Sequence, residues 1–238
     1  MPRTPPRAVS RIVGGAEWTP IIDGPMIVMV TISAFTFFYF SVGYRFFPEF
    51  YQPSMAMLMM MTTGLFLGFA FTQPYVYMTG FNVSMAGISL ACLTMILALE
   101  GLFGSIPQGV VRINPQAGLV VELNPFWLIL FYFSVGVAEE CAFTFGMFSP
   151  LAKMNILGTP WLPLVFKTLA FVGYHQFVAI QIFGQGIYKV LSYSLSLYFG
   201  SMLMTVAYYY TRRISIPALT HGSLNAIIQA ISIGVLQV

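Results

Sequence analysis

Apolar stretches of about 20 residues succeed one another along this chain, each closed by a short segment containing Pro, Gly or charged residues. A helix rises about 1.5 Å per residue, so a stretch of that length crosses the hydrocarbon of a bilayer, and the pattern predicts about seven spans. They cover 26–44, 54–72, 83–104, 126–148, 161–183, 187–211 and 214–236. The second is dense in methionine (Met55, Met57, Met59, Met60, Met61) and carries Gly64 and Gly68. Their spacing permits close helix approach and predicts ordinary packing inside the bundle rather than a dimer face.

Between the third and fourth spans, two short β-branched runs at 110–113 and 119–123 flank Asn114-Pro115-Gln116-Ala117-Gly118. This predicts a short extramembrane hairpin, with a disordered connector as the equal alternative. The organisation expected is a basic, mobile N-terminal tail over 1–20, three transmembrane helices over 21–105, the loop or hairpin over 106–125, and a four-helix core over 126–238.

Of the 238 residues, 58% are hydrophobic, 16% aromatic and 7% charged, whereas a soluble domain carries about 25% charged residues. The fold class is therefore an all-α polytopic membrane protein, surrounded by membrane lipids. A formal charge of +3, placed at span ends rather than in a patch, argues against a nucleic-acid partner. Cys92 and Cys141 lie inside apolar spans without a Cys-x-x-Cys pair and are read as buried, unreactive thiols. The first apolar run exceeds the about 7–15 residues of a signal core and has no small-residue cleavage site, so it is read as an uncleaved span. A cytoplasmic N-terminus puts Arg3, Arg7, Arg11, Lys153, Arg212 and Arg213 on the inner side, against Arg45, Arg112 and Lys189 outside. That excess favours this orientation in an integral, multi-pass protein, of the plasma membrane if the cell is prokaryotic.

Against this apolar background the fourth span carries adjacent carboxylates, Glu139 and Glu140. An acid at the centre of a membrane helix costs about 2.5–3.5 kcal/mol on insertion scales, so the pair needs compensating partners. The chain's two histidines, His175 and His221, also fall within spans, as does Asn225. Counted along their helices, all these groups lie in one layer at mid-membrane or slightly to its cytoplasmic side. His221 and Asn225 share a helix face with Gly222 leaving room beside them, and Glu140 and Thr144 are likewise four apart. Glu139 and Glu140 differ by about 100° around the helix, so one can face the site while the other braces a neighbour. Two acids so close cannot both ionise freely, and a carboxylate beside an imidazole is suited to taking a proton from water. Lys167 is read as snorkelling to the cytoplasmic surface, with service as a counter-charge the other reading. Glu100 is read as interfacial.

Three motifs in order, Glu139-Glu140-x-x-x-Thr144, Phe171-x-x-x-His175 and His221-x-x-x-Asn225, resemble the signature of the CAAX prenyl protease and bacteriocin-processing family of intramembrane endopeptidases. The approach to the third, Tyr210-Thr-Arg-Arg-Ile-Ser-Ile-Pro-Ala-Leu-Thr-His221, resembles that family's basic turn and helix start, and the likeness covers roughly 126–236. The resemblance implies that Glu139 and His175 activate water, that Glu140 supports them, and that His221 and Asn225 donate to the oxyanion. It implies a peptide or membrane-protein substrate, prenylated or not. Glu139, His175 and His221 would also be the ligands if the site held zinc, but a glutamate-activated water needs no metal, and none is favoured. The family's first motif normally ends in Arg where this chain has Thr144, so Thr144→Arg is expected to raise any activity. The alternative from another class is a catalytically inactive relative serving as subunit or scaffold of a larger membrane complex. A transporter or channel ranks third, because no inverted repeat is seen.

Overall fold

The computed structural model describes residues 18–43, 48–78, 80, 82–102, 125–154, 159, 161–182 and 187–232. The hairpin expected over 106–125 lies almost wholly outside them, as does most of the tail. Helices α1 (Gly24–Val42), α2 (Pro48–Thr72) and α3 (Val83–Leu102) form the N-terminal part. The fourth span starts as α4 (Pro125–Glu139), widens into a π-helical segment, Glu140–Phe148, and ends as α5 (Ser149–Lys153). Helix α6 (Trp161–Phe177) continues as a second π-helical turn, Val178–Ile182, and α7 (Ile187–Thr211) and α8 (Ser215–Ser232) follow. Five segments, Gly24–Val42, Phe50–Thr72, Val83–Gly101, Pro125–Lys153 and Trp161–Ile180, are long and apolar enough to cross a bilayer. The more polar α7 and α8 pack between them and complete an all-α polytopic bundle. Phe35, Phe38, Phe66, Leu90 and Phe166 point outward, as lipid-facing side chains should.

Glycines set the closest helix approaches. A Cβ on Gly64 of α2 would stand 2.3 Å from the Cys141 carbonyl oxygen, and one on Gly146 would stand 2.7 Å from the Gly64 Cα. The Gly64/Gly68 pair is thus an intramolecular face that seats α2 on the π-helical segment. On the other side of the same span, a Cβ on Gly136 would be 2.7 Å from the Gly222 backbone nitrogen, so α4 and α8 touch backbone to backbone beside His221.

One face of the bundle is tied by a small parallel sheet that periodicity did not predict. Strand β1 (Ile21–Asp23) pairs with β2 (Tyr75–Tyr77), and Ile21 also bridges to Arg213. Three-residue strands drawn from distant parts of the chain leave no repeat for a sequence pattern to detect. The end of the supposedly mobile tail is fixed here too. Trp18 is buried against Phe148, Tyr208 and Tyr209 and donates from Nε1 to the Tyr209 carbonyl at 3.2 Å. Asp23, fully buried, caps α1 by accepting from the Met26 amide at 3.2 Å, and also accepts from Arg213 Nη1 at 3.1 Å and Ser215 Oγ at 2.8 Å. It therefore locks the start of α1 to the start of α8. Asp23→Ala strips all three donors of their acceptor and is expected to cost about 3 kcal/mol, read as a lower melting temperature in detergent. An unchanged melting temperature would show that the latch carries no stability.

Candidate active site

The π-helical segment begins at Glu140, where the acid pair lies. Its wider turn shows in the Ser149 amide, which donates to the Thr144 carbonyl five residues back. Ser149 Oγ donates to the same carbonyl at 3.0 Å and lies 2.7 Å from Tyr208 Oη, so α7 braces the distortion. Such segments cluster at functional sites because they re-aim side chains that regular α-helix would hold elsewhere.

The structure brings four of the sequence-identified residues together. His175 Nε2 lies 3.6 Å from Glu139 Oε1, and His221 Nε2 lies 3.4 Å from Glu139 Oε2. The outer nitrogen of each ring has its own acceptor. His175 Nδ1 is 2.9 Å from the Phe171 carbonyl, and His221 Nδ1 is 3.0 Å from Glu140 Oε1. Each Nδ1 therefore donates to its acceptor, and each Nε2 faces the Glu139 carboxylate. Glu139 Oε2 is buried without a hydrogen bond. Glu140 is held on three sides, by His221, by the Thr144 hydroxyl, which donates to Oε2, and by Lys167 Nζ at 3.9 Å. Glu139 thus faces the two imidazoles while Glu140 ties α6 to α8, the two directions that their angular offset allows.

Asn225 sits one turn beyond His221 on the same face of α8, half-buried, and makes no hydrogen bond among the described residues. The structure gives it no contact with the two acids, but its carboxamide is free to donate. Side-chain exposure rises from 5% at Glu139 and 6% at His221 to 17% at His175, the most exposed of the three. Phe143 packs its ring on Phe171 and Tyr174. A separate apolar groove of about 510 Å³ between the end of the π-helical segment and α6, lined by Met147, Leu151, Leu162, Pro163 and Phe166, includes none of these residues.

Two sequence readings need correction. Lys167 does not snorkel to the surface. It is fully buried, with its ammonium turned inward to Glu140 and Ser201, because the acid there compensates a charge that lipid would not. Glu100 is not exposed either, since α7 and α8 cover α3 and its carboxyl is buried with Ser196 as a partner. Phe171 was noted only as part of a motif. Its ring centre lies 4.3 Å from that of His175 and 5.5 Å from that of His221, so it spaces the two imidazoles.

Zinc was the metal to test. Among the described residues no group of three or more His, Cys, Asp or Glu side chains is arranged to hold an ion. Each ring leans on a different oxygen of Glu139 instead of converging with it on a shared point. No step is therefore derived through a metal.

Residues 121–227 match the family model described as type II CAAX prenyl endopeptidase Rce1-like. No curated protein and no solved structure matches the chain. The matched stretch contains Glu139, Glu140, Thr144, Lys167, Phe171, His175, His221 and Asn225, which is every residue of the cluster described above. Over residues 121–227, somewhat under half of its length, this integral membrane protein is similar to the type II CAAX prenyl endopeptidase Rce1-like family.

Proposed function

We propose that this protein is an intramembrane endopeptidase that hydrolyses a peptide bond with water activated by Glu139 and His175. A single observation carries the reading: one buried carboxylate with an unpaired oxygen lies within 3.6 Å of two imidazole nitrogens inside a membrane bundle. Water held between Glu139 and His175 gives its proton to the carboxylate as its oxygen attacks the scissile carbonyl carbon. The oxyanion that forms is met by the Asn225 amide and by Nε2–H of a doubly protonated His221, whose Nδ1–H is held by Glu140. Collapse breaks the C–N bond, and the proton held by Glu139 passes to the leaving amine.

The substrate is a peptide or membrane-protein segment that enters beside His175, with a prenylated C-terminus the first class to try. The similarity of residues 121–227 to the CAAX prenyl endopeptidase model supports that choice. The N-terminus is cytoplasmic in this reading, which puts the β1–β2 face and the Arg212-Arg213 turn inside the cell, at the plasma membrane if that cell is prokaryotic. The second reading is a silent subunit or scaffold of a membrane complex. It is favoured by the tight burial of Glu139 and His221 and by Thr144 at the end of the first motif.

The test reconstitutes wild type and Glu139→Ala in liposomes with prenylated peptides and membrane-protein precursors, and reads products by mass spectrometry. Defined products from wild type alone are expected. Identical product lists for the two proteins would favour the scaffold. Adding a zinc chelator is expected to leave the rate within about twofold, whereas loss of activity restored by zinc would replace the metal-free mechanism with one through a bound ion.

A further inference from the structure

An ammonium group buried in a membrane bundle is costly unless paired, and Lys167 is fully buried. Its Nζ lies 3.9 Å from Glu140 Oε2, donates to Ser201 Oγ of α7 at 2.9 Å, and stands 5.0 Å from the centre of the Phe171 ring. Lys167, Phe171 and His175 follow one another at four-residue intervals, so they form a stripe down one face of α6. Glu140 is the acceptor that fixes His221 Nδ1 at 3.0 Å. The Thr144 hydroxyl gives Glu140 a hydrogen bond but no charge. Among the described side chains around Glu140, the amine comes from α6.

We propose that Lys167 is a positioning residue of this site: a cation supplied by α6 that keeps Glu140 a carboxylate and so holds His221 aimed at Glu139. Ser201 extends the tie to α7. The kinetic side of the proposal rests on the proteolytic reading, and the ion pair does not. Lys167 touches neither the water nor the scissile bond, so its loss slows chemistry without weakening substrate binding.

Lys167→Met keeps the stem and removes the charge. It is expected to lower kcat by about 10²-fold with KM unchanged within about threefold, whereas Lys167→Arg stays within about tenfold of wild type. A Lys167→Met protein with wild-type kcat overturns the proposal. So does a Thr144→Arg protein faster than wild type, because it would show Glu140 short of a cation; the geometry reverses the expectation drawn from the motif. Folding is followed in the same samples by the temperature at which the buried thiols of Cys92 and Cys141 react with a maleimide. Lys167→Met is expected to lower that temperature by about 10 °C, and adding Glu140→Gln to regain most of it, because removing one partner of a buried pair costs far more than removing both. Absence of that recovery overturns the ion pair. A wild-type protein that cleaves none of the peptides sinks only the proteolytic reading and leaves the thermal comparison decisive for Lys167.

Discussion

Glu139→Gln is expected to lower kcat by about 10²–10⁴-fold while KM and melting temperature stay near wild type. The substitution keeps the shape of the side chain, and the Gln amide can still lie between the His175 and His221 nitrogens that now stand 3.6 and 3.4 Å from the carboxylate oxygens. What it removes is the ability to accept a proton from water. Glu140 keeps Lys167 and His221, so no buried charge is orphaned and the fold has no reason to fail. Single-turnover product formation in liposomes is the direct readout. A Gln variant within about threefold of wild type would move water activation away from Glu139 and withdraw the mechanism.

Gly64→Ala is expected to destabilise the protein by about 3 kcal/mol or more, although alanine is the better helix former. Its methyl group would stand 2.3 Å from the Cys141 carbonyl oxygen and 2.5 Å from the Ala142 Cα. Both are backbone atoms, so no rotamer change relieves the overlap. Helix α2 must retreat from the π-helical segment that carries Glu140. Gly87→Ala is the matched control: nothing lies within 4 Å of the added atom, and the change is expected to be neutral or stabilising by about 0.5–1 kcal/mol. Recovery of monodisperse protein and the temperature of Cys141 exposure separate the two variants. Equal behaviour would mean that α2 is not seated through Gly64.

Several parts of this arrangement were legible beforehand. Acids and imidazoles are so rare in these apolar spans that their depths along the helices could be compared directly, which put Glu139, His175 and His221 in one layer. The His221–Asn225 and Glu140–Thr144 spacings identified shared helix faces. Lys167 escaped because a lysine near a span end has two low-cost solutions, surface or partner, and only the position of Glu140 decides between them. Its place four residues before Phe171 and eight before His175, on one helix face, was the available signal. The π-helical turn left no local mark, since Glu140–Phe148 reads as ordinary apolar helix. The β1–β2 pairing was equally hidden, because its partners come from separate parts of the chain.

By itself the sequence determined the class of the fold and the short set of polar side chains from which a site could be built. These follow from hydrophobic run length and from the cost of placing charge in lipid, both of which act on each residue with little regard to its distant neighbours. Tertiary structure alone decided which oxygen of Glu139 faces which imidazole, that Lys167 turns inward to Glu140, and that Gly64 and Gly136 admit helices close enough to close the cluster. Those outcomes depend on distances between helices far apart in the chain, and distances of a few ångströms are set by packing, which no single stretch of sequence contains.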